Sequence, residues 1–444
     1  MEALMDWFNK LKKFLLTDIW QLNIRELSGA KSMLVKQVRI IILSIQGFIA
    51  DNCSLRASAL TFYSIFSIVP VAAMIFGIAK GFGYDETLRK QMLEKFADYQ
   101  EVVTRIFEFA DKMLKSVQGG WIAGIGLVVL FWTVIKVIGN IEHSFNHIWG
   151  IKRHRTLWRK FSDYMSMLLI LLLLLIVAGG ATVFISTMLT KYASDIPYLG
   201  SPTAYIAIKM IPFVIVWLLF TFIYKVMPNT KVSLDSAMMA GVVAGSAFQF
   251  LQMGYIFAQV FIFAKYQAIY GSFSALPLFL LFLQFTWLIV LFGAELSFAH
   301  QNIETYEFEP QSMHISYAYR KSLMLLIATF IVKKFVAREK APTDVEIAHT
   351  CGIPIRQTRD ILFSLNDAGV ISKIVDEPAD STGYHPAMPV DTITVKSVIA
   401  TTEGHGSGKF PLPHCDDYQH ITEYITALDK QVGQSPDNKP LKDI

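Results

Sequence analysis

The chain has 444 residues, 53% of them apolar and only 17% charged, with a mean hydropathy of +0.42. A soluble domain usually carries about 25% charged residues, so this surface is short of groups that water solvates, and a disordered tail, a collagen or a disulfide-stapled secreted scaffold is excluded. Cys53, Cys351 and Cys415 are odd in number and far apart, which gives neither a disulfide framework nor zinc-ligand spacing, and a net charge of +4 does not by itself imply a nucleic-acid partner.

Residues 1–56 predict cytoplasmic interfacial helices. Over residues 4–22, Trp7, Phe8, Leu11, Phe14 and Leu15 alternate with Lys10, Lys12 and Lys13, without the continuous apolar core and cleavage site of a signal peptide. The apolar run 40–50 is too short to cross a bilayer, and with Lys31, Lys36 and Arg39 before it reads as an amphipathic surface helix.

A bilayer core of about 30 Å needs about 20 helical residues. Six spans meet that length, at about 57–79, 116–138, 164–190, 204–227, 236–264 and 270–299, within a membrane domain of 57–300. Between the first two, Leu88, Met92, Phe96, Tyr99, Val103, Ile106, Ala110, Met113 and Val117 recur at helical spacing and predict an extracytoplasmic helical loop over 81–115. Lys152, Arg153, Arg155, Arg159 and Lys160 follow the second span, and eight Lys and Arg lie in residues 1–56. The positive-inside rule then places both termini of a multi-pass membrane protein in the cytoplasm.

Hydropathy collapses after about Ala299, and residues 316–432 read as a small cytoplasmic α+β domain. Its order is a helix over about Lys321–Arg338, a short helix capped by Thr343, a third helix from Ile353-Pro354 to Ala368, and a strand over Val370–Val375, as in a winged helix. Fourteen basic against sixteen acidic residues in 316–444 weigh against a DNA reader, although Arg356, Arg359 and Lys373 form a small basic group. Contact with a protein partner, or a structural use of the same fold, is expected of this domain, and residues 433–444 read as a disordered tail.

Ionisable and polar groups at membrane depth are functional candidates. Glu295 follows 29 uncharged residues and is the strongest; its alternative is an acid at the end of the span, paired or solvated. Lys136 closes the second span and can pair with Glu295 or extend to the interface. Gln249, Gln252, Gln259 and Gln284 either join helices or line a polar path for substrate. Pro70, Pro212 and Pro277 are candidate helix kinks. Gly241 and Gly245 make a small-residue face for close helix packing, within the chain or between copies in a homo-oligomer.

His143 and His147 beside Glu142, and His405, His414, Cys415, Asp416 and His420 in the tail, lack a recognised ligand order, so no metal and no cofactor are expected. No P-loop and no Gly-x-Ser-x-Gly elbow is present, and nothing in the sequence marks an enzyme.

Four stretches together resemble the YihY/BrkB family of bacterial inner-membrane proteins. They are Ala57-Ser58-Ala59-Leu60-Thr61-Phe62-Tyr63 through Pro70; Asn140-Ile141-Glu142 with Phe145-Asn146-His147-Ile148-Trp149-Gly150; Met227-Pro228-Asn229 leading to Ala240-Gly241; and Tyr270-Gly271 with Leu276-Pro277-Leu278, ending in Gly293-Ala294-Glu295-Leu296. The likeness covers roughly residues 30–300 and leaves the winged-helix-like tail outside. It implies six spans with both ends cytoplasmic. Members have carried the label ribonuclease BN, yet no convergent set of ligands for a two-metal nuclease is visible in this chain. The expected function is to move or export an envelope amphiphile or lipid, with membrane lipids as partners. The alternative is a membrane-anchored envelope scaffold or regulatory protein acting through the tail.

Overall fold

A computed structural model of the chain describes residues 29–81, 83–95, 121–152, 202–261, 275–306, 315–376, 381–405 and 416–444, with a few further positions between residues 19 and 173. Two compact units are formed. One comprises Met33–Trp149 and Arg153–Gln301; the other comprises Met1–Ser32, Gly150–Lys152 and Asn302–Ile444.

The first unit is helical. Helices α1 (Gly29–Ala50), α2 (Cys53–Gly81), α3 (Asp85–Lys95), α4 (Trp121–Ile148), α5 (Pro202–Val226), α6 (Leu234–Phe261) and α7 (Ala275–Tyr306) follow in order. Five of them, α2, α4, α5, α6 and α7, stand where the first, second, fourth, fifth and sixth spans are expected. The third, 164–190, lies largely outside the described residues, as do most of the periodic face beyond α3 and the segment 4–22. By length and composition, Gly29–Ala50, Leu234–Gln259 and Pro277–Ile303 can each cross a membrane.

The first of these is longer than the expected surface helix at 40–50. The charge-free run 40–50 is short, but the helix extends over 22 residues and buries Arg39 with Ile40, Leu43, Ser44 and Gly47. Met33, Leu34, Ile41, Ile45 and Ile49 are exposed. Charge faces the protein and aliphatic surface faces outward, so Arg39 does not end the apolar element.

Helices α5 and α6 approach closely because α6 presents glycine to α5. A Cβ at Gly241 would lie 2.8 Å from the Thr221 backbone nitrogen and 2.9 Å from the Trp217 carbonyl, and one at Gly245 would lie 2.9 Å from Trp217 Cδ1. The small-residue face is therefore occupied inside the chain and is not left for a second copy. Gly293 does the same for α7, where a Cβ would lie 2.5 Å from Tyr224 Cζ and 2.8 Å from Ala244 Cβ. Tyr224 fills that notch and donates from its hydroxyl to the Val290 carbonyl at 3.2 Å.

The second unit packs α8 (Tyr317–Val336), α9 (Asp344–Cys351), α10 (Ile355–Asp367), the strands β1 (Ile371–Asp376) and β2 (Ser381–Pro386), α11 (Val395–Glu403) and α12 (Asp416–Gln434). The strands pair antiparallel, from Ile371 opposite Pro386 to Asp376 opposite Ser381. Caps fix the helix starts: the Ser316 and Thr343 hydroxyls accept from the Tyr319 and Glu346 amides, both at 3.2 Å. Gly352, at φ 65°, closes α9 in the left-handed region where glycine is unstrained. The core joins Ile327 and Ile331 of α8, Ile347 of α9, Ile361 and Leu365 of α10, Ile371 of β1 and Val398 of α11.

Residues 433–444 are not a disordered tail. The Leu441 amide donates to the Ile393 carbonyl at 2.8 Å, Thr394 bridges Pro440, and the Leu441 side chain is fully buried in this core. One apolar anchor and two backbone contacts hold a stretch whose composition alone reads as disordered.

Candidate functional site

The polar interior of the first unit begins at the turn between α1 and α2. Asp51 and Asn52 reverse the chain, with the Asp51 amide donating to the Gly47 carbonyl at 2.8 Å and Asn52 at φ 51°, a left-handed conformation that Asn tolerates. This turn buries the Asp51 carboxyl and sets the fully buried Cys53 at the start of α2.

Glu295 meets this corner from α7. It is fully buried, and its Oε1 accepts from the Cys53 thiol at 3.7 Å. Solvation at the end of a span is thus ruled out for Glu295. From α4, His147 Nε2 reaches Asp51 Oδ1 at 3.6 Å. One turn earlier, buried Glu142 accepts from Asn146 Nδ2 at 3.1 Å and from the Tyr164 hydroxyl. Asn146 in turn accepts the Asn229 amide at 2.8 Å, which ties α4 to the segment after α5. Ser236 Oγ lies 2.8 Å from His300 Nδ1, and Gln301 Oε1 accepts the Ser233 amide at 2.7 Å.

Among the described residues, three buried carboxyl groups, Asp51, Glu142 and Glu295, and one buried guanidinium, Arg39, thus lie in a predominantly helical apolar unit. Buried charge is expensive unless paired or hydrogen-bonded, so a group of this kind is held for a purpose in structure or in function.

The other candidate residues are distributed differently. Lys136 is exposed on α4, in keeping with extension to the interface rather than pairing with the enclosed Glu295. Gln249 is buried and donates to the Pro212 carbonyl at 3.3 Å, joining α6 to α5. Gln284 bridges α7 to α2, donating to Ser58 Oγ and accepting from Thr61 Oγ1, both at 3.1 Å; Trp287 adds a bond to Ser64 Oγ at 2.9 Å. These side chains join helices, while Gln252 is exposed and Gln259 half-buried.

The proline candidates also separate. Pro212 lies inside α5, and Pro70 lies within α2 with its side chain outside the described residues. Pro277 falls in the first turn of α7, where proline removes no helical hydrogen bond, so it is not a kink. The departure from helical geometry in α7 is instead at Asn302, φ −111° and ψ 16°.

In the second unit, Arg359 pairs with Asp344 at 2.8 Å, which removes it from the small basic group; Arg356 is half-buried and Lys373 exposed. Asp360 of α10 binds Arg320 at 2.6 Å and also Lys152. His405 lies 2.8 Å from Asp367 and His420 lies 3.8 Å from Glu423, while His414 and Cys415 fall outside the described residues. Among the described residues no group of three or more His, Cys, Asp or Glu is placed to hold a metal.

Sequence reasoning missed the Asp51–His147 and Glu142–Asn146–Asn229 connections. The Asp51-Asn52 pair between two apolar helices and the i, i+4 spacing of Glu142 and Asn146 were the available signals.

The family model for virulence factor BrkB matches residues 44–315, a stretch that contains every residue of this cluster except Arg39. Curated relatives named UPF0761 membrane protein include one from Aeromonas salmonicida, 30% identical over 251 residues, 55% of this chain and 83% of that protein. Others come from Halorhodospira halophila, 29% identical over 57% of this chain and 55% of the relative, and Azotobacter vinelandii, 30% over 56% and 60%. The chain therefore spans little more than half the length of these last two. No solved structure matches it. With a matched segment covering most of the helical unit and holding nearly all of its buried polar groups, the chain belongs to the BrkB virulence factor family of membrane proteins.

Proposed function

We propose that the membrane unit moves or exports an envelope amphiphile or lipid, with Glu295 as the group that takes up a proton or a cationic headgroup. The supporting observation is the complete burial of Glu295 beside Cys53, in a unit that also buries Asp51, Glu142 and Arg39. No bond making or breaking is assigned to these residues in this reading; their work is binding and charge compensation.

The test is lipid movement in liposomes holding the purified chain. Head-labelled phospholipid in the outer leaflet is bleached by an impermeant reductant, and Glu295→Gln is compared with the unaltered chain. Bleaching beyond the outer-leaflet half, reduced by the substitution, is the expected result. Protection equal to that of empty vesicles would overturn passive lipid movement by this chain.

In the same reading the chain sits in the bacterial inner membrane with six spans and both termini cytoplasmic, and α1 lies along the cytoplasmic face despite its length. Lys31, Lys36 and the basic residues after α4 support that orientation. A cysteine introduced at Ala30 should react with an impermeant maleimide only in inverted vesicles; reaction in intact spheroplasts would make α1 a crossing helix.

The second unit is read as a winged-helix-like domain, supported by its order of three helices and an antiparallel strand pair. Its charge balance and the Arg359–Asp344 pair weigh against nucleic acid and for a protein partner. A second functional reading, a membrane-anchored scaffold acting through this unit, draws on its own packed core and on the wholly exposed α12. Deleting residues 316–444 should then abolish the cellular phenotype while leaving the lipid assay unchanged.

A further inference from the structure

Every side chain from Asp417 to Gln434 of α12 is exposed, although the helix carries six large apolar or aromatic residues. Tyr418, Ile421, Ile425, Leu428 and Val432 are between 51 and 62% exposed and follow one another at steps of three and four. That is a strict seven-residue repeat: Tyr418, Ile425 and Val432 at the first position, Ile421 and Leu428 at the fourth. A helix covering its own domain shows a wider stripe of period 3.6; the narrow 3.5-residue seam is the geometry of one helix packed against another.

We propose that α12 forms a parallel two-stranded coiled coil with α12 of a second copy of the chain. The identity of the seam residues favours this order and direction. Branched Ile425 and Val432 at the first position with Leu428 at the fourth are the combination that prefers two parallel strands, from which Ile421 at the fourth position departs. Flanking charges agree. In parallel register Asp417 faces Thr422 of the other copy and Tyr424 faces Asp429, which is paired with Lys396 of its own chain, so no like charges meet across the seam.

The area is sufficient. The five seam residues at these exposures present about 500 Å² of apolar surface per chain, so a pair would bury about 1,000 Å², about the least that a specific interface needs. A helix of 19 residues is about 28 Å long and marginal alone, but two copies held in one membrane meet at a raised effective concentration. A lipid surface fits less well as the occupant. α12 itself carries one cation, Lys430, with Asp417 and Glu423 on its polar side and Asp429 paired with Lys396, whereas helices that lie on anionic membranes are rich in Lys and Arg.

The proposal is tested on the full-length chain in its native membranes, in a Cys351→Ser, Cys415→Ser background that keeps only the buried Cys53, with one cysteine added at a time and mild oxidation. Leu428→Cys should form a dimer-sized disulfide product at least tenfold more efficiently than Ala427→Cys, which points away from the seam. Adding Ile425→Asp should abolish that product without lowering the amount of chain in the membrane, since Ile425 is exposed in the monomer. Equal cross-linking at the two positions would mean random collision and would overturn the coiled coil. So would an absent product at Leu428→Cys, whether its thiol alkylates freely (no occupant) or is protected (another stretch of chain, another protein or lipid).

Discussion

Three glycines on α6 give a graded test of how the membrane unit is packed. At Gly241 a new Cβ would meet the Thr221 nitrogen at 2.8 Å and the Trp217 carbonyl at 2.9 Å, and both are backbone of α5 that no rotamer change can withdraw. The helices must separate by about half an ångström or more along their contact, so Gly241→Ala belongs at the upper end of the overpacking range, about 3 kcal/mol. At 1.4 kcal/mol per decade, that is roughly a 150-fold change in the folding equilibrium. At Gly245 the nearest atom is Trp217 Cδ1, with the α5 backbone at 3.4 Å, so Gly245→Ala should cost only about 1 kcal/mol as the indole gives way. Gly254 has nothing within 4 Å, and Gly254→Ala should be neutral or gain about 0.5 kcal/mol from helix propensity. The assay is unfolding of the detergent-solubilised chain by a denaturing detergent, read by the fluorescence of Trp217 and its neighbours. Thr221→Ala should rescue Gly241→Ala only in part, because the backbone contacts remain. If Gly241→Ala were as mild as Gly254→Ala, the close α5–α6 approach would be refuted; if Gly254→Ala were the costly change, α6 would be packing through its other face.

The remaining predictions follow from single contacts. Asn146→Ala removes both the Glu142 donor and the acceptor of the Asn229 amide, and should destabilise the membrane unit by about 2–3 kcal/mol in the same unfolding assay. Gln284→Leu keeps the volume but deletes two bonds between α7 and α2; at about 0.6 kcal/mol per interhelical bond in a membrane, it should lose about 1 kcal/mol and leave lipid movement unchanged. Leu441→Ala should destabilise the second unit by about 2–4 kcal/mol, seen as faster proteolysis and hydrogen exchange around Ile393 and Val398 in the full chain. Unchanged protection there would return residues 433–444 to a dispensable tail.

What the sequence determined by itself follows from local physics. Charge-free runs long enough for a bilayer marked α2, α4, α6 and α7, because the hydrocarbon core requires consecutive apolar residues, while α5 was legible despite Lys209 and Lys225 near its ends. A cap marked the short helix of the second unit, since Thr343 acts on a backbone amide only three residues away, whereas the Ser316 cap of α8 emerged only in the structure. Gly241 and Gly245 were legible as a packing face, but not as one already filled by Trp217 and Thr221. Tertiary structure decided what each polar group meets. Gln249 and Gln284 are equally apolar in their surroundings, and only the partner helix shows that both are joints; Glu295 differs because Cys53, 242 residues earlier in the chain, closes over it. Arg39 and Leu441 make the same point from opposite sides. A charge that should have ended an apolar helix is buried within one, and a terminal leucine in a polar stretch completes a core, because burial depends on what the rest of the chain brings alongside.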